Sequence, residues 1–113
     1  MHELAIAKEL SGIVNEVASK EKLEKVTRID VCFGQMIQVV PEIFTFALEE
    51  TIRGTVADGA EIAVEVLPAV LLCRSCTNEF NLEHNTFICP GCGSSDTEMK
   101  QGREIYVKSI EGE

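Results

Sequence analysis

Over the first twenty positions, apolar residues recur at three- and four-residue steps. Ile6, Leu10, Ile13, Val14 and Val17 share one side, and Lys8, Glu9, Asn15, Glu16 and Lys20 lie elsewhere. This period predicts an amphipathic helix from Leu4 to about Lys20. The period then drops to two. In "KVTRIDVCFG", Thr27, Ile29, Val31 and Phe33 fall on one face, with Val26, Arg28, Asp30 and Cys32 on the other, which predicts a half-buried strand ending at Gly34. Pro41 opens "PEIFTFALEETIRG", with Glu42 in its first turn, Arg53 in its last and Gly54 just past it. Those are the start and stop signals of a second helix, whose inner stripe would be Phe44, Ala47, Leu48 and Thr51. "EIAVEVL" alternates again, grouping Ile62, Val64 and Val66 until Pro68 stops the run, and "REIYVKSI" is a third strand near the C-terminus.

The order is therefore helix, strand, helix, strand, a cysteine-bearing region, and a strand. It predicts an α+β fold in which two helices pack on a three-stranded sheet, with the cysteine region inserted before the last strand. The expected boundaries are 1–67 together with 101–113 for the α+β domain, and 68–100 for the insertion. No internal repeat or low-complexity run interrupts this plan.

The insertion carries the strongest chemical signal. "CRSC" and "CPGC" place Cys73, Cys76, Cys89 and Cys92 in two CxxC knuckles with twelve residues between them. Each knuckle aims two thiolates at one cation from a tight turn, with Pro90 and Gly91 supplying turn chemistry, and a pair of knuckles completes a tetrahedral four-sulfur site. Four protein thiolates leave no open coordination position, so the expected metal is a structural zinc in a zinc ribbon. Rubredoxin-like iron, a redox dithiol and disulfides are the alternatives. A segment of about thirty residues buries too little apolar surface to fold unaided, so metal binding should supply its folding energy. Cys32, alone in a strand, reads as a small apolar filler. His84, between the knuckles, reads as a solvated loop residue, with an alternative zinc ligand or second-shell donor as the sharper possibility.

At 113 residues the chain is large enough for a real core, and 45% hydrophobic with 26% charged residues is a globular composition. Ten basic against nineteen acidic residues give a net charge of −9. That charge repels nucleic acid and anionic membrane surfaces. Glu79, Glu83, Asp96 and Glu98 outnumber Arg74 and Lys100 in the cysteine region, which disfavours a nucleic-acid-reading ribbon. The longest apolar run is too short for a bilayer, and Glu3, Lys8 and Glu9 break any signal-peptide core. The expected compartment is the cytoplasm, with cysteines reduced or metal-bound. No nucleophile with a base and orienting acid stands out, and no phosphate-binding glycine loop, so an enzyme is not expected.

One further feature is the histidine directly behind the initiator methionine in "MHELAIAKEL". A bulky second residue disfavours removal of the initiator, which leaves a Met1 α-amine beside the His2 imidazole. Both are metal ligands when deprotonated, and both titrate near neutral pH.

"MHEL", "VVPEIFTFAL", "GTVADGAEIAVEVLP", the CxxC pair and "GREIYVKSIE" together resemble the HypA/HybF family, nickel chaperones of [NiFe]-hydrogenase maturation, along the full length of the chain. The resemblance implies that Met1, His2 and Glu3 hold Ni(II) as transferred cargo. The Met1 amine, the His2 backbone nitrogen and the His2 imidazole would form adjoining chelate rings, with the Glu3 backbone nitrogen as a fourth donor, a set that suits square-planar nickel. It further implies structural zinc on Cys73, Cys76, Cys89 and Cys92. The implied partners are the HypB GTPase, the hydrogenase large subunit and, in some members, urease accessory proteins. A zinc-ribbon adaptor that binds a protein partner without nickel transfer is the rival reading. Met36 and Ile37 stand where many relatives carry smaller or more polar residues, a departure expected to bear on a partner surface. Histidines that flank the knuckles in some relatives are absent apart from His84.

Overall fold

The computed structural model describes residues 3–82 and 86–113. Helix α1 spans Glu3–Lys20, strand β1 Val26–Gly34, helix α2 Pro41–Thr51 and strand β2 Glu61–Leu67. The strands β3 Val70–Cys73, β4 Glu79–Asn81 and β5 Thr97–Gln101 follow, and β6 Ile105–Gly112 closes the chain. The first sheet has the order β2-β1-β6 and the second β4-β3-β5. Strands β1 and β2 are parallel, which requires a crossover, and α2 provides it. Strand β6 returns antiparallel on the other side of β1. The expected α+β arrangement of two helices on a three-stranded sheet, with a cysteine-bearing insertion, is thus the observed one.

Period-two patterning on β1 sends Ile29, Val31 and Phe33 into a core shared with Ile6, Leu10 and Val14 of α1 and Phe44 and Leu48 of α2. Phe33 and Phe44 meet edge to face, with ring centroids 4.8 Å apart and planes at 79°, a favoured aromatic geometry. On the opposite face of the sheet, Arg28 forks onto Asp30 and also reaches Glu61, while the Ser109 hydroxyl donates to Asp30.

Two expectations shift. Ile13 is 44% exposed and Val17 only half-buried, whereas Ala7, Ser11 and Ala18 are buried. Helix α1 packs against both α2 and the sheet. Its small residues allow that close packing, so the buried stripe is rotated away from Ile13 and Val17. Strand β1 is also buried more deeply than a half-buried strand at its end, because Cys32 on the outer face is closed over. Its thiol donates to Glu65 Oε1 at 3.3 Å, and burial pushes its pKa up. The filler reading fits its burial but omits this hydrogen bond.

The two sheets join at the end of β1. Gly34 N–H donates to the Glu104 carbonyl at 2.8 Å, and Met36 N–H to the Gly102 carbonyl at 2.9 Å. The Gln35 side-chain carbonyl accepts from Ala69 N–H at 2.8 Å. Met36 packs against the small cluster of Ala69, Leu71 and Leu82 beneath the second sheet. Met36 therefore packs, half-buried, on the chain's own second sheet.

A Cβ at Gly34 would collide with the backbone of Gly102 and Arg103. Gly34→Ala should therefore destabilise the protein by about 1–3 kcal/mol through overpacking. Urea unfolding checks this, and an unchanged midpoint would contradict the close approach.

Candidate metal centre

Each knuckle begins on a buried cysteine and ends on an exposed one: Cys73 and Cys89 are buried, Cys76 and Cys92 exposed. Their backbones follow the same pattern. Cys73 N–H donates to the Asn78 carbonyl and Thr77 N–H to the Cys73 carbonyl; Cys89 N–H donates to the Ser94 carbonyl and Gly93 N–H to the Cys89 carbonyl. The residue four places after each first cysteine is left-handed, Thr77 at φ 62° and Gly93 at φ 76°. Pro90 and Gly91 lie in the turn of the second knuckle as expected, and Gly93 supplies the left-handed residue that follows it.

The four sulfurs all lie within 4.8 Å of one another, with Cys73 Sγ 3.5 Å from Cys92 Sγ and Cys76 Sγ 3.6 Å from Cys89 Sγ. These separations are far beyond a disulfide bond of about 2.05 Å. They are close to the edge of about 3.8 Å expected for a tetrahedron of sulfurs around zinc at about 2.3 Å. The donor set therefore fits zinc.

Electrostatics agree with that fit. Cys73 is lowered, first by the Cys76 N–H, with Ser75 N–H and the Cys92 thiol adding to it. Burial opposes ionisation of Cys89, but the N–H groups of Cys92 and Gly91, together with the Asn78 side-chain amide, bring its pKa down to about 6. The second cysteines go the other way. The Asn78 N–H favours the Cys76 thiolate, yet burial and the Cys73 thiol outweigh it and raise the pKa. The Ser94 N–H favours the Cys92 thiolate, but the thiols of Cys73 and Cys76 push its pKa up to about 12. Four thiolates in this volume repel one another, and a divalent cation at their centre removes that penalty.

Residue types alone do not disclose the backbone donors at Ser75, Cys76, Asn78, Gly91, Cys92 and Ser94, or the role of the Asn78 side chain. The only signal for them is the parallel placement of small or polar residues in and after each knuckle. The acidic residues of this region are partly neutralised: Arg74 pairs with Asp96 at 3.0 Å and Glu98 at 3.1 Å, and Lys100 with Glu98 at 3.0 Å. Met1 and His2 lie outside the described residues, as does His84. Glu3 opens α1, and its carboxylate accepts from Val40 N–H, at the start of α2, at 3.4 Å. Val40 has no side-chain cap to offer, so Glu3 serves one of the orphan donors of that helix. The structure thus gathers all four predicted cysteines and shows Glu3 apart from them, tied to α2. Among the described residues, no helix is long and apolar enough to cross a membrane.

Comparison with known proteins places this geometry. A family model described as hydrogenase/urease nickel incorporation, metallochaperone, hypA matches residues 1–112. The hydrogenase maturation factor HypA of Caldanaerobacter subterraneus is 36% identical over 114 residues, covering 100% of both chains. That of Pyrococcus abyssi is 34% identical, covering 97% of this chain and 94% of its own. The solution structure of the nickel metallochaperone HypA from Helicobacter pylori shares the fold, with a TM-score of 0.72, 24% identity and coverage of 99% and 97%. On the full-length match and the relatives above 30% identity, the chain belongs to the HypA family of hydrogenase maturation metallochaperones, which is not a family of catalysts.

Proposed function

We propose that this protein carries Ni(II) as cargo and delivers it to the large subunit of a [NiFe]-hydrogenase, without itself catalysing a reaction. The cargo is held by the Met1 amine, the His2 backbone nitrogen and imidazole, and the Glu3 backbone nitrogen. Cys73, Cys76, Cys89 and Cys92 hold a resident zinc that folds residues 68–100 into a body distinct from 1–67 and 101–113. The partners are the HypB GTPase and the hydrogenase large subunit, with urease accessory proteins as further ones, and the site of action is the cytoplasm.

The observation that carries this reading is the family match over residues 1–112, which takes in the Met-His-Glu start. The described part of that start supports it. Glu3 begins a helix anchored by buried Ile6, Ala7 and Leu10, and its side chain is occupied at Val40, so its backbone nitrogen remains the donor of choice. Donor chemistry separates the two metals. Amine and imidazole nitrogens suit nickel, whereas four thiolates suit zinc.

Nickel titration of zinc-loaded protein tests the cargo site. The native N-terminus should bind nickel, and a form with a few residues added before Met1 should not. His2→Ala should weaken nickel binding by more than the roughly 10–100-fold typical of altering a second-shell partner, while the zinc content stays unchanged. If no form binds nickel, the zinc-ribbon adaptor reading takes its place.

Zinc binding should displace fewer than four protons at pH 7, because Cys89, at about 6, is already mostly thiolate there. Below pH 6 Cys89 protonates, so proton release per zinc should rise toward four and affinity should fall more steeply with falling pH. Indicator-monitored zinc titrations across pH 5–8 check the sign. Cys92→Ser should lose zinc and the amide dispersion of residues 70–101, and leave the helices folded.

A further inference from the structure

Helix α2 has an outward face that the fold leaves unused. Phe44, Ala47 and Leu48 point into the core, while Phe46 is 65% exposed, Ile43 54% and Val40, just before the helix, 43%. These three residues follow at three-residue steps and form one apolar stripe along the surface. Phe46 is the most exposed of the large hydrophobic residues described. Exposed apolar stripes of this kind mark interaction sites.

The charge that the helix itself carries has one sign. From Pro41 to Thr51 the helix carries Glu42, Glu49 and Glu50 and no lysine or arginine. Arg53, just beyond, is taken by Glu50 at 2.6 Å. Among the described residues, neither Glu42 nor Glu49 has a salt bridge. The Glu3 carboxylate at Val40 extends the acidic rim to the start of α1. A second copy would bring acid against acid, and an anionic bilayer would be repelled. The complementary occupant is a segment with an apolar ridge flanked by lysine or arginine.

We propose that the outward face of α2, Val40, Ile43 and Phe46 framed by Glu42, Glu49 and Glu50, is the docking surface for a protein partner presenting a cationic amphipathic segment. The Glu3–Val40 contact sets the start of α1 at one end of this face. A partner seated there lies next to Glu3, so the surface serves transfer if the Met-His-Glu terminus holds nickel, a role that rests on the cargo reading above. Recognition follows the helix-in-groove logic of apolar anchors with charged flanks. A second exposed apolar feature, the groove of about 230 Å³ between Ile13 and Val17 of α1 and Val107 and Ile110 of β6, is lined by Lys108 and by no acid, and serves as the control.

The test uses the full zinc-loaded chain and a fluorescein-labelled, 18-residue amphipathic Leu/Lys peptide as probe, with a Leu/Glu peptide beside it. Anisotropy should show binding of the Leu/Lys peptide alone. Phe46→Ser and Ile43→Ser should each weaken it at least about tenfold, as expected of an interface anchor, while Ile13→Ser leaves it unchanged. Amide shifts should centre on residues 40–53. Both altered side chains on α2 are mostly solvent-exposed, so the variants should keep the wild-type melting temperature and nickel stoichiometry. Binding that survives Phe46→Ser, shifts spread over the whole acidic surface, or equal binding of the Leu/Glu peptide would overturn the proposal. So would a concentration-dependent dimer abolished by Phe46→Ser, since the occupant would then be a second copy. Absence of nickel binding in every form would sink the cargo reading and leave the docking result to stand or fall on the peptide.

Discussion

The arrangement depends on one backbone approach, that of Gly34 to Gly102. The second sheet is inserted between β2 and β6, which flank β1, so the chain leaves on one side of the end of β1 and returns on the other. Both connections converge on Gly34–Met36. A hydrogen bond to Glu104, another to Gly102 and a third from Ala69 to the Gln35 side chain fix all three passes of chain at that junction. Met36 then fills the space under β3 with its side chain. A residue with a Cβ at position 34 would separate the passes, and the small cluster of Ala69, Leu71 and Leu82 would lose the methionine that covers it.

The second sheet has little else to hold it. Its three strands are four, three and five residues long, and its buried apolar cluster consists of three residues. Burial of that size does not offset the entropy of ordering some thirty residues. Twin knuckles that present backbone N–H groups to each thiolate supply what the core lacks, provided a cation is present to relieve the repulsion expressed in the raised Cys76 and Cys92. Thr77 is informative here. A β-branched residue at φ 62° is strained, and it persists where the equivalent turn of the other knuckle uses Gly93. The turn that gathers the sulfurs overrides the local preference of threonine.

What was legible in the sequence follows the strength of local signals. Period, proline and glycine positions located both helices and the three strands of the larger sheet, and the double CxxC located the four sulfurs. The buried side of α1 was misjudged at Ile13 and Val17 because hydrophobicity alone weighs isoleucine above alanine. Ala7, Ser11 and Ala18 are buried in a helix that packs against both α2 and the sheet, and that is a tertiary fact. Met36 could not be placed from the sequence for the same reason, since its partners lie more than thirty residues away. The capping role of Glu3 was equally invisible, because it joins the start of one helix to the start of another across 37 positions.

That last contact bears on how a terminal metal site can be both accessible and specific. A chain end usually frays, and a frayed ligand set binds metal weakly because ordering it opposes binding. Here the third residue is already in a helix whose next turn is buried, and its carboxylate is held at α2. If nickel is held there, as proposed, the site lies on the far side of Glu3 from the four cysteines' cluster, and emptying it need not disturb the core behind α1. The acidic, apolar face of α2 adjoins the same point, so approach of a cationic partner would alter the field at the ligands as well as bring an acceptor near. Positive charge brought close to a bound Ni(II) disfavours the ion electrostatically. If the terminus holds nickel and a cationic partner docks on α2, as proposed, charge would couple docking to release.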